Sequence, residues 1–350
     1  MSRRVGKGLS HFERDRIVER VVPLADEAPL ARAELVIEAV VESLELKREV
    51  LRGIEAIVPE HCVLASNTSS IPIGALAEGA KRPERILGMH YFSPVPKMML
   101  LEVVRGEKTA DWALATAVEV GLRQGKAVII VRDTPGFYTN RVMPVMMSEA
   151  LTLLAEGADA KAIDRAMQNY GFPVGPITLL DEVGIDVGAK ITLVLGELFT
   201  ARGIEGNGVL QRLVEAGYLG RKGGKGFFRY QNGEKLEEID AGIYRYFGGP
   251  DRKVVAESEI QERLGLMMVN EAVRCLEEGV VASPRDGDVG AVFGLGFPPF
   301  RGGPFRQLDQ LGAHLAVKAL ERLADRHGPR FMPAELLRSH AEEGRSFYRH

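Results

Sequence analysis

The first third of the chain alternates short apolar runs with polar or helical stretches, and no other feature constrains its fold as tightly. Residues 35–41 (LVIEAVV), 63–70 (VLASNTSS), 86–90, 100–104 and 127–131 have the length and composition of strands. Near-continuous apolar runs belong to strands buried on both faces. Between the first two, Ser43 is placed to cap a helix reaching about Val58, with Leu46, Val50, Leu51, Ile54 and Ile57 inward and Glu45, Lys47, Arg48 and Glu49 on its wet face. Shorter helices are expected near 73–80 and 110–124. Strands alternating with helices imply a parallel, doubly wound sheet. Ligands gather outside the carboxyl ends of such strands, which puts Ser69 and His90 on one side. Residues 1–30, basic and polar, read as one or two helices.

From Asp133 the pattern changes to long helical periodicity, and the chain repeats itself. MMSEALTLLAEG (146–157) is echoed by MMVNEAVRCLEEG (267–279), with Glu149 matching Glu271 and Gly157 matching Gly279 at one offset. GFPVGPITLLDEVG (171–184) is echoed by GFPPFRGGPFRQLDQLG (296–312). Two copies of one helical module therefore fill the carboxyl half. The expected organisation is an α/β sheet domain over 1–132, a helical module over 133–230, a charged linker over 231–252 and a second module over 253–350.

Composition removes several functional classes. With 45% hydrophobic and 27% charged residues the chain reads as an ordinary globular protein, and a net charge of -3 gives no general attraction to nucleic acid or anionic membrane. No apolar run is long enough to span a bilayer. Cys62 and Cys275 form no motif, which suits a reducing cytoplasm. No His/Cys cluster has metal-ligand spacing, so no metal is expected. The glycine loop that announces a dinucleotide-binding fold, G-x-G-x-x-G after a strand, is not found: Gly6-Lys7-Gly8 lacks the third glycine and a preceding strand.

The strings ASNTSS (65–70), GMHYFSPVPKM (88–98) and DTPGFYTNR (133–141) resemble those of the 3-hydroxyacyl-CoA dehydrogenases, most closely the dehydrogenase part of the multifunctional fatty-acid oxidation proteins. The resemblance covers essentially the whole chain. It implies an N-terminally truncated Rossmann-like domain followed by paired helical modules, with the glycine-loop segment and a hydratase domain lying upstream of Met1 in the family. It also implies NAD-dependent oxidation of (S)-3-hydroxyacyl-CoA in β-oxidation, and a homodimer or a complex with a thiolase subunit. The alternative is a catalytically incomplete fragment or split subunit that binds acyl-CoA and needs a partner bearing the glycine loop.

Oxidising a secondary alcohol requires a base for its hydroxyl proton, and histidine suits because its pKa lies near the operating pH. His90 is the candidate base and Glu102 the carboxylate that orients it. Spacing alone leaves a strand-end histidine and a surface glutamate as the commoner reading; the HYFSPVP context reverses that. By resemblance, Ser69 and Asn140 are donors around the substrate's 3-oxygen and the nicotinamide, Glu42 and Lys47 lie beside the nicotinamide end, and Lys222 lies near the cofactor. Ser93 stands where many relatives have asparagine and retains a hydrogen-bonding group. Taken singly, Ser69 is a loop serine, Asn140 a helix-start residue, Lys47 a solvated helix lysine and Lys222 part of a charged turn.

Overall fold

A computed structural model describes residues 10–206 and 208–348. The first nine residues of the basic start, including Arg3, Arg4 and the Gly6-Lys7-Gly8 segment, lie outside the described residues. Helix α1 (His11–Val18) and a short 3₁₀ turn precede strand β1 (Leu35–Glu38). There follow α2 (Leu44–Glu55), β2 (Val63–Ser66), the single turn α3 (Ile73–Leu76), β3 (Ile86–Tyr91), β4 (Leu100–Arg105), α4 (Asp111–Arg123) and β5 (Ala127–Arg132). The helical region contains α5 (Thr139–Ala155), α6 (Ala160–Tyr170), α7 (Pro176–Val183), α8 (Ile185–Val194), α9 (Gly196–Ala201) and α10 (Val209–Glu215). A hairpin of β6 (Phe228–Gln231) and β7 (Glu234–Ile239) separates these from α11 (Glu257–Glu277), α12 (Pro284–Leu295), α13 (Pro304–Leu311), α14 (Ala313–His327) and α15 (Glu335–Glu343).

The five-stranded sheet is ordered β1-β2-β3-β4-β5. It departs from the all-parallel expectation at one place. β3 and β4 pair antiparallel, while every other neighbouring pair is parallel. The reason is the connection: residues 92–99, rich in proline, hold no crossover helix, so the chain can only turn back beside the strand it has left. Ser43 caps α2 as expected, its hydroxyl accepting the Leu46 N–H. Lys47 does not lie on the wet face of that helix; it is 1% exposed.

Side chains alternate across the sheet. Val63, Ala65, Leu87, Met89, Leu101 and Val103 meet α4 on one face. On the other, Leu64, Ile86, Leu100 and Val104 join a continuous core with Tyr138, Val142 and the helical modules. His90 and Glu102 share that second face, because each is an even number of residues from its neighbours Ile86, Leu100 and Val104.

The repeat becomes a pseudo-two-fold pairing. α5 and α11 pack on each other, and each carries an arginine that grips carboxylates of the other copy. Arg141 reaches Glu271 and Glu278, both at 2.8 Å. Reciprocally, Arg263 reaches Glu149 at 2.7 Å and Glu156 at 2.6 Å. Arg202 adds a second grip on Glu271 and Glu278, as Arg330 does on Glu149 and Glu156. Glu149 and Glu271 have no exposed surface. A second repeated device fixes the end of each module: the Asp181 carboxylate accepts the Phe227 and Phe228 N–H groups, and Asp309 those of Phe347 and Tyr348.

Removing one partner of a buried ion pair strands the other charge. Arg263→Met and, by the repeat, Arg141→Met are each expected to lower unfolding free energy by roughly 3 kcal/mol or more, measured by urea denaturation. Burial pushes the Asp181 carboxyl up from 3.8 to about 6. An acid with a raised folded-state pKa binds its proton more tightly when folded, so its contribution to stability is lost as pH rises from about 4 to about 6. Asp181→Asn removes that loss. Whatever the variant costs at pH 4, its deficit against the parent narrows by up to about 3 kcal/mol by pH 7, checked by melting curves across that range.

Candidate active site

The antiparallel turn puts His90 directly opposite Glu102 in the β3–β4 register. His90 Nδ1 lies 2.7 Å from Glu102 Oε2, with the histidine 6% exposed and the glutamate fully buried. A buried carboxylate is tolerable only when its lone pairs are filled. Glu102 Oε2 also accepts the Thr139 hydroxyl at 3.0 Å, and Oε1 accepts the N–H groups of Tyr138 and Thr139 at 3.3 and 3.0 Å. These donors come from the start of the 17-residue helix α5, whose dipole favours a negative charge there.

The DTPGF turn aims them. Gly136 and Phe137 both have positive φ, 77° and 51°, and a phenylalanine in that region is strained. The strain is held by the packing of the fully buried Phe137, whose ring lies 6.0 Å from that of His90. With Phe92 at 4.4 Å, the imidazole sits between aromatic neighbours. Nδ1–H points to Glu102, so Nε2 is the ring atom able to take a proton.

The two ends of the DTPGFYTN segment also fix the loop after β2. The Asp133 carboxylate accepts the Ile73 and Gly74 N–H groups at 2.9 and 2.7 Å. Asn140 Nδ2 donates to the Ser69 carbonyl at 2.9 Å. From the β1 side, Glu42 Oε1 accepts the Thr68 hydroxyl at 2.6 Å and the Ser69 N–H and Ser70 hydroxyl at 3.2 Å. Burial opposes the Glu42 charge, but the Thr68 hydroxyl, Lys47 and the loop donors hold its carboxyl below the usual range. Ser69 and Asn140 are thus brought together, and Asn67 Oδ1 accepts the Tyr91 N–H, tying the loop to the carboxyl end of β3.

Lys47 belongs to a buried cluster. Its Nζ lies 3.0 Å from both Glu38 oxygens, 3.2 Å from the Val40 carbonyl and 3.5 Å from Glu42 Oε2. The Ser66 hydroxyl donates to Glu38 as well. Ser93 is exposed in the β3–β4 turn, and Lys222 pairs with Asp186 on α8 rather than with this group. Tyr138, Thr139, Thr68 and Glu38 were not foreseen as parts of the site. Only Glu38 left a trace, an acid in the middle of an apolar run.

Comparison with known proteins bears on this arrangement. The family model described as 3-hydroxyacyl-CoA dehydrogenase, NAD binding domain, matches residues 1–134, and that of the C-terminal domain matches 136–230 and 260–348. The chain belongs to the 3-hydroxyacyl-CoA dehydrogenase family. It is 47% identical over 345 residues to the fatty acid oxidation complex subunit alpha of Shewanella amazonensis, covering 97% of this chain and 48% of that protein. The chain thus spans about half the length of the curated relatives it matches. Among solved structures, the 3-hydroxybutyryl-CoA dehydrogenase of Escherichia coli K12 is 30% identical with a TM-score of 0.84, covering 98% of this chain and 88% of that one. The dehydrogenase part of multifunctional enzyme 1 from C. elegans is 25% identical with a TM-score of 0.65, over 95% of this chain and 77% of that one.

Lys47→Met would leave Glu38 uncompensated in the interior. We expect a loss of roughly 3 kcal/mol or more in urea denaturation. A lysine serving only the cofactor would instead change NADH affinity and leave stability alone.

Proposed function

We propose that the chain carries out NAD-dependent oxidation of (S)-3-hydroxyacyl-CoA to 3-oxoacyl-CoA, with His90 as base and Glu102 as its orienting carboxylate. The observation that supports this most is the His90–Glu102 pair at 2.7 Å, with Nε2 directed away from the carboxylate. His90 Nε2 accepts the proton of the substrate's 3-hydroxyl. Glu102, whose other lone pairs are filled, stabilises the imidazolium as it forms and keeps the ring in one tautomer. The Ser69 hydroxyl and the Asn140 amide supply uncharged donors to the 3-oxygen, which carries negative charge in the reverse direction.

The residues present suit the nicotinamide end of the cofactor. Val40 and Val41 are exposed beyond the carboxyl end of β1, and Glu42 Oε2, with only Lys47 at 3.5 Å, keeps capacity to accept a ribose hydroxyl. When bound, NAD supplies the acceptor for the hydride leaving C3. An apolar cavity of about 170 Å³ begins at Asn140 and runs between α5, α7, α8 and α9, past Met143, Met147, Leu179, Ile191 and Phe199. Its lining suits an acyl chain whose C3 lies at Asn140. The relatives named as alpha subunits of a fatty acid oxidation complex support a place in an assembly with other subunits.

The test is NADH oxidation with acetoacetyl-CoA by the parent and His90→Gln, alongside direct NADH titration. The variant is expected to lose about 10²–10⁴-fold in turnover with its circular dichroism and NADH binding unchanged. Turnover near that of the parent would remove His90 from the role of base.

A further inference from the structure

We propose that Thr139 is a positioning residue for the reaction, setting the strength of the His90–Glu102 hydrogen bond and with it the pH range of turnover. The kinetic part of this proposal rests on the reading of His90 and Glu102 given above; the hydrogen-bond part does not.

The geometry is asymmetric. The two Glu102 oxygens divide their partners, with Oε1 taking two backbone N–H groups and Oε2 taking two side chains, His90 Nδ1 at 2.7 Å and Thr139 Oγ1 at 3.0 Å. An ionised carboxylate only accepts, so the threonine hydroxyl must be the donor. Two donors on one oxygen share its charge. The hydroxyl therefore weakens Oε2 as an acceptor for the imidazole and reduces the preference of the pair for the imidazolium.

The hydroxyl has little freedom to leave. Thr139 is 1% exposed. Its methyl faces α12 at Gly294, where an added Cβ would lie 3.2 Å from Thr139 Cγ2 and 2.3 Å from Leu100 Cδ2. One turn earlier, a Cβ at Gly290 would lie 2.8 Å from the Tyr138 ring, and the Tyr138 hydroxyl donates to the Gly287 carbonyl at 2.9 Å. The second module thus clamps the Tyr138–Thr139 corner. With the methyl lodged there, the β-branched side chain presents its hydroxyl to Glu102.

Few other groups can imitate this effect. The titratable groups packed around the carboxylate are His90 from β3 and Tyr138 from the lead into α5. Burial and the surrounding acidic groups hold the Tyr138 phenol well above its ordinary value. Cys275 on α11, its thiol pushed up by burial, and Asp288 on α12, pushed up by burial to about 6, both act on Tyr138. Asp288 bonds the Phe305 and Arg306 N–H groups and the Tyr348 hydroxyl, none of which changes with residue 139.

Thr139→Val keeps the shape and deletes the donor; Thr139→Ser keeps the donor. Two measurements on the full chain decide. In proton NMR, the His90 Nδ1–H resonance, identified by its loss in His90→Gln, is expected to move downfield in Thr139→Val and to stay at the parent position in Thr139→Ser. In kinetics, the acidic limb of the kcat/KM profile for 3-hydroxybutyryl-CoA oxidation is expected to move up by about half a pH unit in Thr139→Val. Thr139→Ala, which removes hydroxyl and methyl together, is the second variant should valine prevent folding. A resonance that stays in place when the hydroxyl is gone overturns the proposal. A resonance that moves while the limb stays supports the hydrogen-bond role of Thr139 and overturns His90 as the base.

Discussion

A carboxylate with no access to water must be met by donors, and Glu102 draws its donors from two parts of the chain. The imidazole comes from the neighbouring strand, while two N–H groups and the Thr139 hydroxyl come from the start of α5. None of these can move independently without leaving a buried charge short of a partner, at a cost of several kcal/mol. The sheet, the strained Gly136–Phe137 turn and the helical region are therefore joined at one side chain. His90 is thereby held in one tautomer by a group that is itself immobile, as the proposed role of base requires.

The helical half supports this joint from behind. Its two modules exchange arginine–carboxylate grips across a pseudo-two-fold, so each copy neutralises acids of the other. Such buried pairs fix register more than they add stability, because desolvation cancels much of the attraction. Fixed register is what α12 needs in order to seat Tyr138 and Thr139 against its glycine-lined face. The second module, remote in sequence from the sheet, thus reaches the His90–Glu102 pair through a single corner of packed side chains.

On the open side of the sheet a second polar cluster does similar work. Lys47 and Glu38 compensate each other in the interior, Glu42 bridges from them to the loop carrying Ser69, and Asn140 closes the loop from the α5 side. Glu42 and Lys47, expected beside the cofactor, also have structural partners: Lys47 compensates Glu38, and Glu42 holds the Ser69 loop while one oxygen stays on the solvent side.

Much of this was legible in the residues themselves. Apolar runs at strand length, the Ser43 cap and the repeated helical strings depend on local periodicity, and local periodicity survives into the fold because burial of one face is what selects it. The strings around His90 and Asn140 carried the family. What the sequence did not disclose is pairing. Whether two strands run parallel depends on the path of the chain between them, and the proline-rich turn at 92–99 made β4 antiparallel to β3, converting a twelve-residue separation into a direct contact. Lys47 looked solvated because a lysine on a helix usually is; its burial required an acid nine residues earlier on another element. Thr139 had no signal at all, since a hydroxyl becomes a partner of Glu102 only when a third element fixes its rotamer. Sequence by itself determined which segments are strands and helices, because those follow from nearest neighbours; tertiary structure alone decided which charges meet, because that depends on distances the chain closes only on folding.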